Sequence, residues 1–114
     1  MSEESSSRGY FAQDLLGMWE RIIELGKRFR FSYLQGTPNP TLTNEYRAEL
    51  ITLWVQLYPK VYKRKEFKNL SVEFMECEKY FEDPSKLRHE KNSGLVLFKM
   101  ELTLRKIIEK LGIT

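Results

Sequence analysis

The stretch from Tyr10 to Leu34, YFAQDLLGMWERIIELGKRFRFSYL, decides the fold. Phe11, Leu15, Met18, Trp19, Ile22, Ile23 and Leu25 recur at three- and four-residue steps, the spacing that gathers side chains on one face of an α-helix. From Arg28 onward the pattern fits two readings. Phe29, Phe31 and Tyr33 alternate with Arg28, Arg30 and Ser32 at the two-residue period of a strand, yet Phe29 and Tyr33 also continue the helical stripe from Leu25. The helical reading to about Leu34 prevails, because an isolated strand would have no partner in this chain. Gly26, with Lys27 and Arg28 after it, is a candidate helix C-cap within the stretch.

Downstream, Gly36-Thr37-Pro38-Asn39-Pro40 is the clearest break in the chain, a loop set by two prolines and a glycine. Thr41 or Thr43 can cap a second helix whose stripe is Tyr46, Leu50, Leu53, Trp54, Leu57 and Val61. Pro59 falls inside it and must kink or end it, since proline lacks the N–H and clashes with the preceding turn. A third stripe runs Phe67, Leu70, Phe74, Cys77 and Phe81, and Asp83-Pro84 reads as a cap and first helical position. The last helix carries Leu87, Leu95, Phe98, Leu102, Leu104, Ile107, Ile108 and Leu111, is closed by Gly112, and can bend or split at Asn92-Ser93-Gly94. The expectation is an all-α fold: a four-helix antiparallel bundle (five if the last helix splits) with a kinked second helix. Residues 1–9 read as a short flexible polar tail, and 10–114 as a single helical-bundle domain.

Composition narrows the chemistry. The 114 residues are 41% hydrophobic and 31% charged, with a mean hydropathy of −0.50, the balance of a folded domain rather than a disordered chain. One Cys and one His cannot build a Cys/His zinc site, an intrachain disulfide or an iron–sulfur cluster. Glu73, Glu76, Glu78, Glu82 and Asp83 cluster, but such a run reads first as an acidic solvent face, and no Glu-x-x-His metal pair occurs. Phosphate-binding glycine loops are absent. His89 lies in the charged run Lys86-Leu87-Arg88-His89-Glu90-Lys91 with no nucleophile at a useful spacing, and Cys77 belongs to an apolar stripe. No enzymatic activity, catalytic residue, metal, cofactor or small-molecule substrate is therefore expected. Neither a membrane span nor a signal peptide is read, so the expected location is cytoplasmic.

Binding remains. Lys60, Lys63, Arg64, Lys65 and Lys68 against Glu66 concentrate +4 in nine residues, more than the +3 of the whole chain, and Glu73–Asp83 follows with −4. A second basic and aromatic run holds Lys27, Arg28 and Arg30 among Phe29, Phe31 and Tyr33. Such mixtures suit DNA or RNA, where cations displace phosphate counterions and rings stack on bases. The same cations also suit helix C-termini, whose macrodipole ends are negative. Apolar coverage is wider than one stripe in Leu15-Leu16, Met18-Trp19, Ile22-Ile23, Leu53-Trp54-Val55, Leu57-Tyr58 and Leu95-Val96-Leu97-Phe98. A second buried face would account for it. The leading expectation is a helical interaction subunit, a homo-oligomer or a docking partner of another protein, with Trp19, Trp54 and Tyr58 as anchors. The alternative is a nucleic-acid-binding accessory protein using segments 27–33 and 60–68, strengthened if the two meet on one face.

Overall fold

A computed structural model describes residues 3–83, 85 and 90–113, with side chains from residue 14 onward except 90 and 91. Four helices make up the fold: α1 (Glu3–Leu34), α2 (Pro40–Val61), α3 (Lys68–Glu82, led by a 3₁₀ turn at Lys65–Phe67) and α4 (Glu90–Leu111). No strand occurs among the described residues, so Phe29–Tyr33 is helical. The molecule measures 50 × 29 × 20 Å, and its long axis matches the roughly 48 Å of a 32-residue helix. The helix already includes residues 3–9, which composition marks as a tail.

Pairings across the seams define an up-down-up-down antiparallel bundle. Arg21 of α1 meets Glu49 of α2, while Phe29 further along α1 meets Tyr46 nearer the start of α2. Trp54 stacks on Phe74 at 4.6 Å, and Arg47 lies over Phe81, which runs α3 antiparallel to α2. Arg105 lies over Trp19 and Arg30 over Phe98, which sets α4 antiparallel to α1. The core is the four stripes: Leu15, Trp19, Ile22, Leu25 and Phe29 against Tyr46, Leu50, Leu53 and Leu57, closed by Phe67, Phe74, Leu97, Leu104 and Ile108.

The helix ends correct several expectations. Gly26 is not a cap; it is buried mid-helix, and α1 ends instead at Gly36. There φ is +72°, Gly36 N–H donates to Tyr33 O (3.1 Å) and Thr37 N–H to Ser32 O (3.0 Å), the paired bonds of a Schellman ending. Gly112, at φ +75°, closes α4 the same way, as its position after the stripe implied. The cap of α2 is Asn39, not Thr41 or Thr43. Its Oδ1 accepts from the Thr41 and Leu42 amides at 3.0 and 3.2 Å, and Pro40 takes the first helical position, where its missing N–H costs nothing. Pro59 stands in the last turn of α2, which ends at Val61. α4 runs unbroken through Asn92–Gly94, giving four α-helices rather than five among the described residues. Asp83 Oδ1 accepts from Ser85 N and Oγ; Pro84, Leu87 and His89 lie outside the described residues.

Candidate interaction surfaces

Where α1, α2 and α4 converge, the core holds a charge. Glu101 is 1% exposed, and its Oε1 accepts a 2.8 Å hydrogen bond from the Tyr46 hydroxyl. Arg30 Nη1 lies 3.4 Å from Oε2 and 3.5 Å from Oε1, and Arg105 Nη2 stands at 4.0 Å. Burial, reinforced by the adjacent carboxylate, pushes the Tyr46 phenol far above its ordinary range, so it remains a donor. Gly26 makes room for the group: a Cβ there would collide with Glu101 Oε1 and stand 3.2 Å from Tyr46 Oη. A buried carboxylate with a phenol and a guanidinium can be a structural pin or a proton site. Tyr46 itself is fully buried.

Arg30 also reaches the surface. Its guanidinium lies 5.2 Å from the Phe98 ring centroid, in the wall of an open groove of about 430 Å³ between the C-terminal turns of α1 and the start of α4. Phe29, Tyr33 and Leu34 line one side and Gly94, Leu95 and Phe98 the other. The helices approach closely there because position 94 has no side chain; a Cβ would sit 2.9 Å from Tyr33 Cζ. Leu34 is 88% exposed, Leu95 68% and nearby Phe31 64%, the three most exposed large apolar side chains described. Lys27, one turn before Arg30, and Lys99, one turn after Leu95, supply further positive charge. Over residues 27–34 and 94–105 the only carboxylate is the buried Glu101.

The anchors read from sequence separate. Trp19 (4% exposed) and Trp54 (5%) are core residues, Trp54 lying between Tyr58 and Phe74, so neither indole is available to a partner. Tyr58 stays at the surface with Val55 on one stripe of α2, and exposed Tyr62 caps the end of that helix. Much of the additional apolar coverage is absorbed within the bundle, since Met18, Ile23, Ile51 and Val96 pack against the core from its flanks. The groove was missed because its wall residues read equally well as core; a glycine facing an aromatic across two helices is visible only in the fold.

The basic runs do not meet. Segment 27–33 lies beside Tyr46, whereas segment 60–68 begins fourteen residues further along α2, roughly 20 Å away at the other end of the bundle. Lys27 and Arg28 are exposed, the latter paired with Glu24, and Arg30 is engaged by Glu101. Lys60, Lys63, Arg64, Lys65 and Lys68 are all exposed, and Arg64 Nε donates to Glu66 Oε1 at 2.8 Å. Glu66's own backbone N–H, with Arg64, holds its carboxyl below the usual range. Cys77 is buried in α3, and burial raises its thiol pKa, which suits packing more than nucleophilic chemistry.

Among the described residues, no three His, Cys, Asp or Glu side chains assemble as a metal-binding group. No described helix is long and apolar enough to cross a membrane. The fold defines the chain as an all-α four-helix bundle. Comparison with protein-family models, with curated protein sequences and with solved structures returns no match.

Proposed function

We propose that this protein is a non-enzymatic interaction subunit that binds an acidic amphipathic helix of another protein in the α1/α4 groove. The observation that carries this reading is the groove itself: an open apolar concavity flanked by the most exposed Leu and Phe side chains of the described fold. A helix laid along such a groove would insert apolar anchors at three- and four-residue steps. The flanks indicate the partner's charge, because Lys27 and Lys99 are not matched by a surface carboxylate on the groove segments. A second copy presenting the same cationic face would meet like charge, which disfavours that occupant.

The test uses a labelled Leu/Glu amphipathic peptide of about five helical turns (about 18 residues) and its Leu/Lys counterpart. Fluorescence anisotropy is expected to show binding of the acidic peptide, lost when Leu34 and Leu95 are both changed to Arg. Equal binding of the basic peptide, or none of either, refutes the proposal. Sedimentation is expected to show a monomer. A dimer dispersed by Leu95→Arg would place a second copy in the groove instead.

A further inference from the structure

The opposite end of the bundle carries an independent feature. Residues 60–68 and 106–110 are distant in sequence but adjoin in space, since Lys110 Nζ donates to Glu66 O at 3.1 Å. Together they hold seven cations (Lys60, Lys63, Arg64, Lys65, Lys68, Lys106 and Lys110) against Glu66 and Glu109, a net +5 in a chain of +3. The remaining residues therefore net −2. Helix dipoles account for only part of this. Lys60 and Lys110 lie in the last turns of α2 and α4, where a cation is favoured. Lys63 and Arg64 lie beyond α2. Lys65 opens the 3₁₀ turn and Lys68 opens α3, whose first turn has no acidic residue; at an N-terminus the dipole favours an anion. At Lys65 and Lys68 the dipole gives a cation no support, so it does not explain the whole cluster.

Aromatic rings interleave with these charges. Tyr58 and Tyr62 are exposed and stacked, with centroids 5.5 Å apart and planes 26° from parallel. Lys63 Nζ lies 5.3 Å from the Tyr62 ring centroid, while Arg64 and Lys110 stand over Phe67 at 4.8 and 5.8 Å. Beside Lys110, a shallow cleft of about 530 Å³ is lined by Asn69, Leu70, Lys106 and Lys110 together with Glu66 and Glu109, so its charges balance and the cationic surplus lies on residues 60–68. We infer that this end of the bundle binds single-stranded nucleic acid, with the lysines and Arg64 along the phosphates and a base stacked on the Tyr58–Tyr62 pair. Two exposed rings favour a single strand over a duplex, whose bases are already stacked. The site does not depend on the groove, and the 27–33 segment takes no part in it.

The experiment is anisotropy with labelled oligo-dT, oligo-U and a duplex of equal length, over a salt series. Binding to both single strands is expected to exceed binding to duplex, with affinity falling as salt rises at a slope of about −0.7 per phosphate neutralised. Lys63→Glu with Arg64→Glu should weaken binding at least about tenfold and flatten that slope by more than about 1. Tyr62→Ala should weaken it roughly 5- to 100-fold with the slope unchanged, which separates stacking from charge. Lys27→Glu with Arg28→Glu, at the far end, should change nothing. All of these positions are exposed, and circular dichroism checks that each variant folds. Absence of binding at low salt, equal loss in the far-end variant, or a neutral Tyr62→Ala with duplex bound equally well would each overturn the inference. Preference for oligo-U over oligo-dT would identify RNA as the source, and the reverse DNA.

Discussion

Gly26→Ala places a methyl group where the carboxylate of Glu101 now sits. Helix propensity alone would make this substitution stabilising by about 1 kcal/mol, because glycine is a poor residue inside a helix. The surroundings reverse the sign. Glu101 cannot move aside freely: Tyr46 holds its Oε1 at 2.8 Å and Arg30 holds Oε2 at 3.4 Å, in a position 1% exposed. Displacing the carboxylate from the Tyr46 hydroxyl removes a hydrogen bond to a charged group, about 1.5–3 kcal/mol. Forcing a methyl into a filled core adds about 1–3 kcal/mol. Net destabilisation should be about 1.5–5 kcal/mol, a large share of the roughly 5–15 kcal/mol that holds a domain folded.

Urea unfolding followed by circular dichroism measures the loss. A double-mutant cycle then tests its cause. Tyr46→Phe should cost about 1.5–3 kcal/mol in the wild-type background and far less in Gly26→Ala, because the bond it deletes is already broken. A neutral or stabilising Gly26→Ala refutes the reasoning, as does simple addition of the two losses.

Two glycines of α1 and α4 should behave oppositely: Gly94→Ala drives a Cβ against the Tyr33 ring and should lower stability by about 1–3 kcal/mol, whereas exposed Gly17, with nothing near its Cβ position, should gain about 0.4–1 kcal/mol as alanine, both read from thermal melts. Asn39→Ala leaves the Thr41 and Leu42 amides without their side-chain acceptor and should cost about 1 kcal/mol, with Asn39→Asp close to neutral in the same assay. Burial first, and then Glu82, raises the pKa of Glu78, so the folded state holds its proton more tightly than the unfolded chain does. That contribution favours folding at low pH and is lost as pH climbs from the unfolded value through the raised folded one. Glu78→Gln should therefore flatten the stability profile across that interval; an unchanged profile counts against it.

The helices were legible because each stripe repeats at one period and several ends carry a punctuating residue. Gly112 and the Gly36 loop are examples. Pro40 also contained the correct cap, since a proline at the first helical position points to the residue before it, Asn39, rather than to a threonine after it. Gly26 misled because small size serves two ends: a glycine followed by basic residues resembles a terminus, and here it admits a carboxylate from another helix. Glu101 had a signal that went unread. It falls on the stripe of Leu97, Leu104 and Ile108, the only charged residue there, and such a residue needs partners that sequence cannot name. Trp19, Trp54 and Tyr58 show the remaining limit. Their stripes are alike, but which flank is covered depends on where a third helix packs, and that is a property of the assembled bundle.

Arg30 links the core to the groove. One guanidinium is shared between a carboxylate sealed in the core and the wall of a groove open to solvent, so the groove floor has its own chemical preference. An anionic group reaching that depth would compete with Glu101 for the same cation and leave the buried carboxylate to Tyr46 and the more distant Arg105. A methyl or ring covering Arg30 would instead shield the pair from water and strengthen it. If the groove binds a partner as proposed, this arrangement would favour a ligand with carbon facing Arg30 and negative charge at its edges.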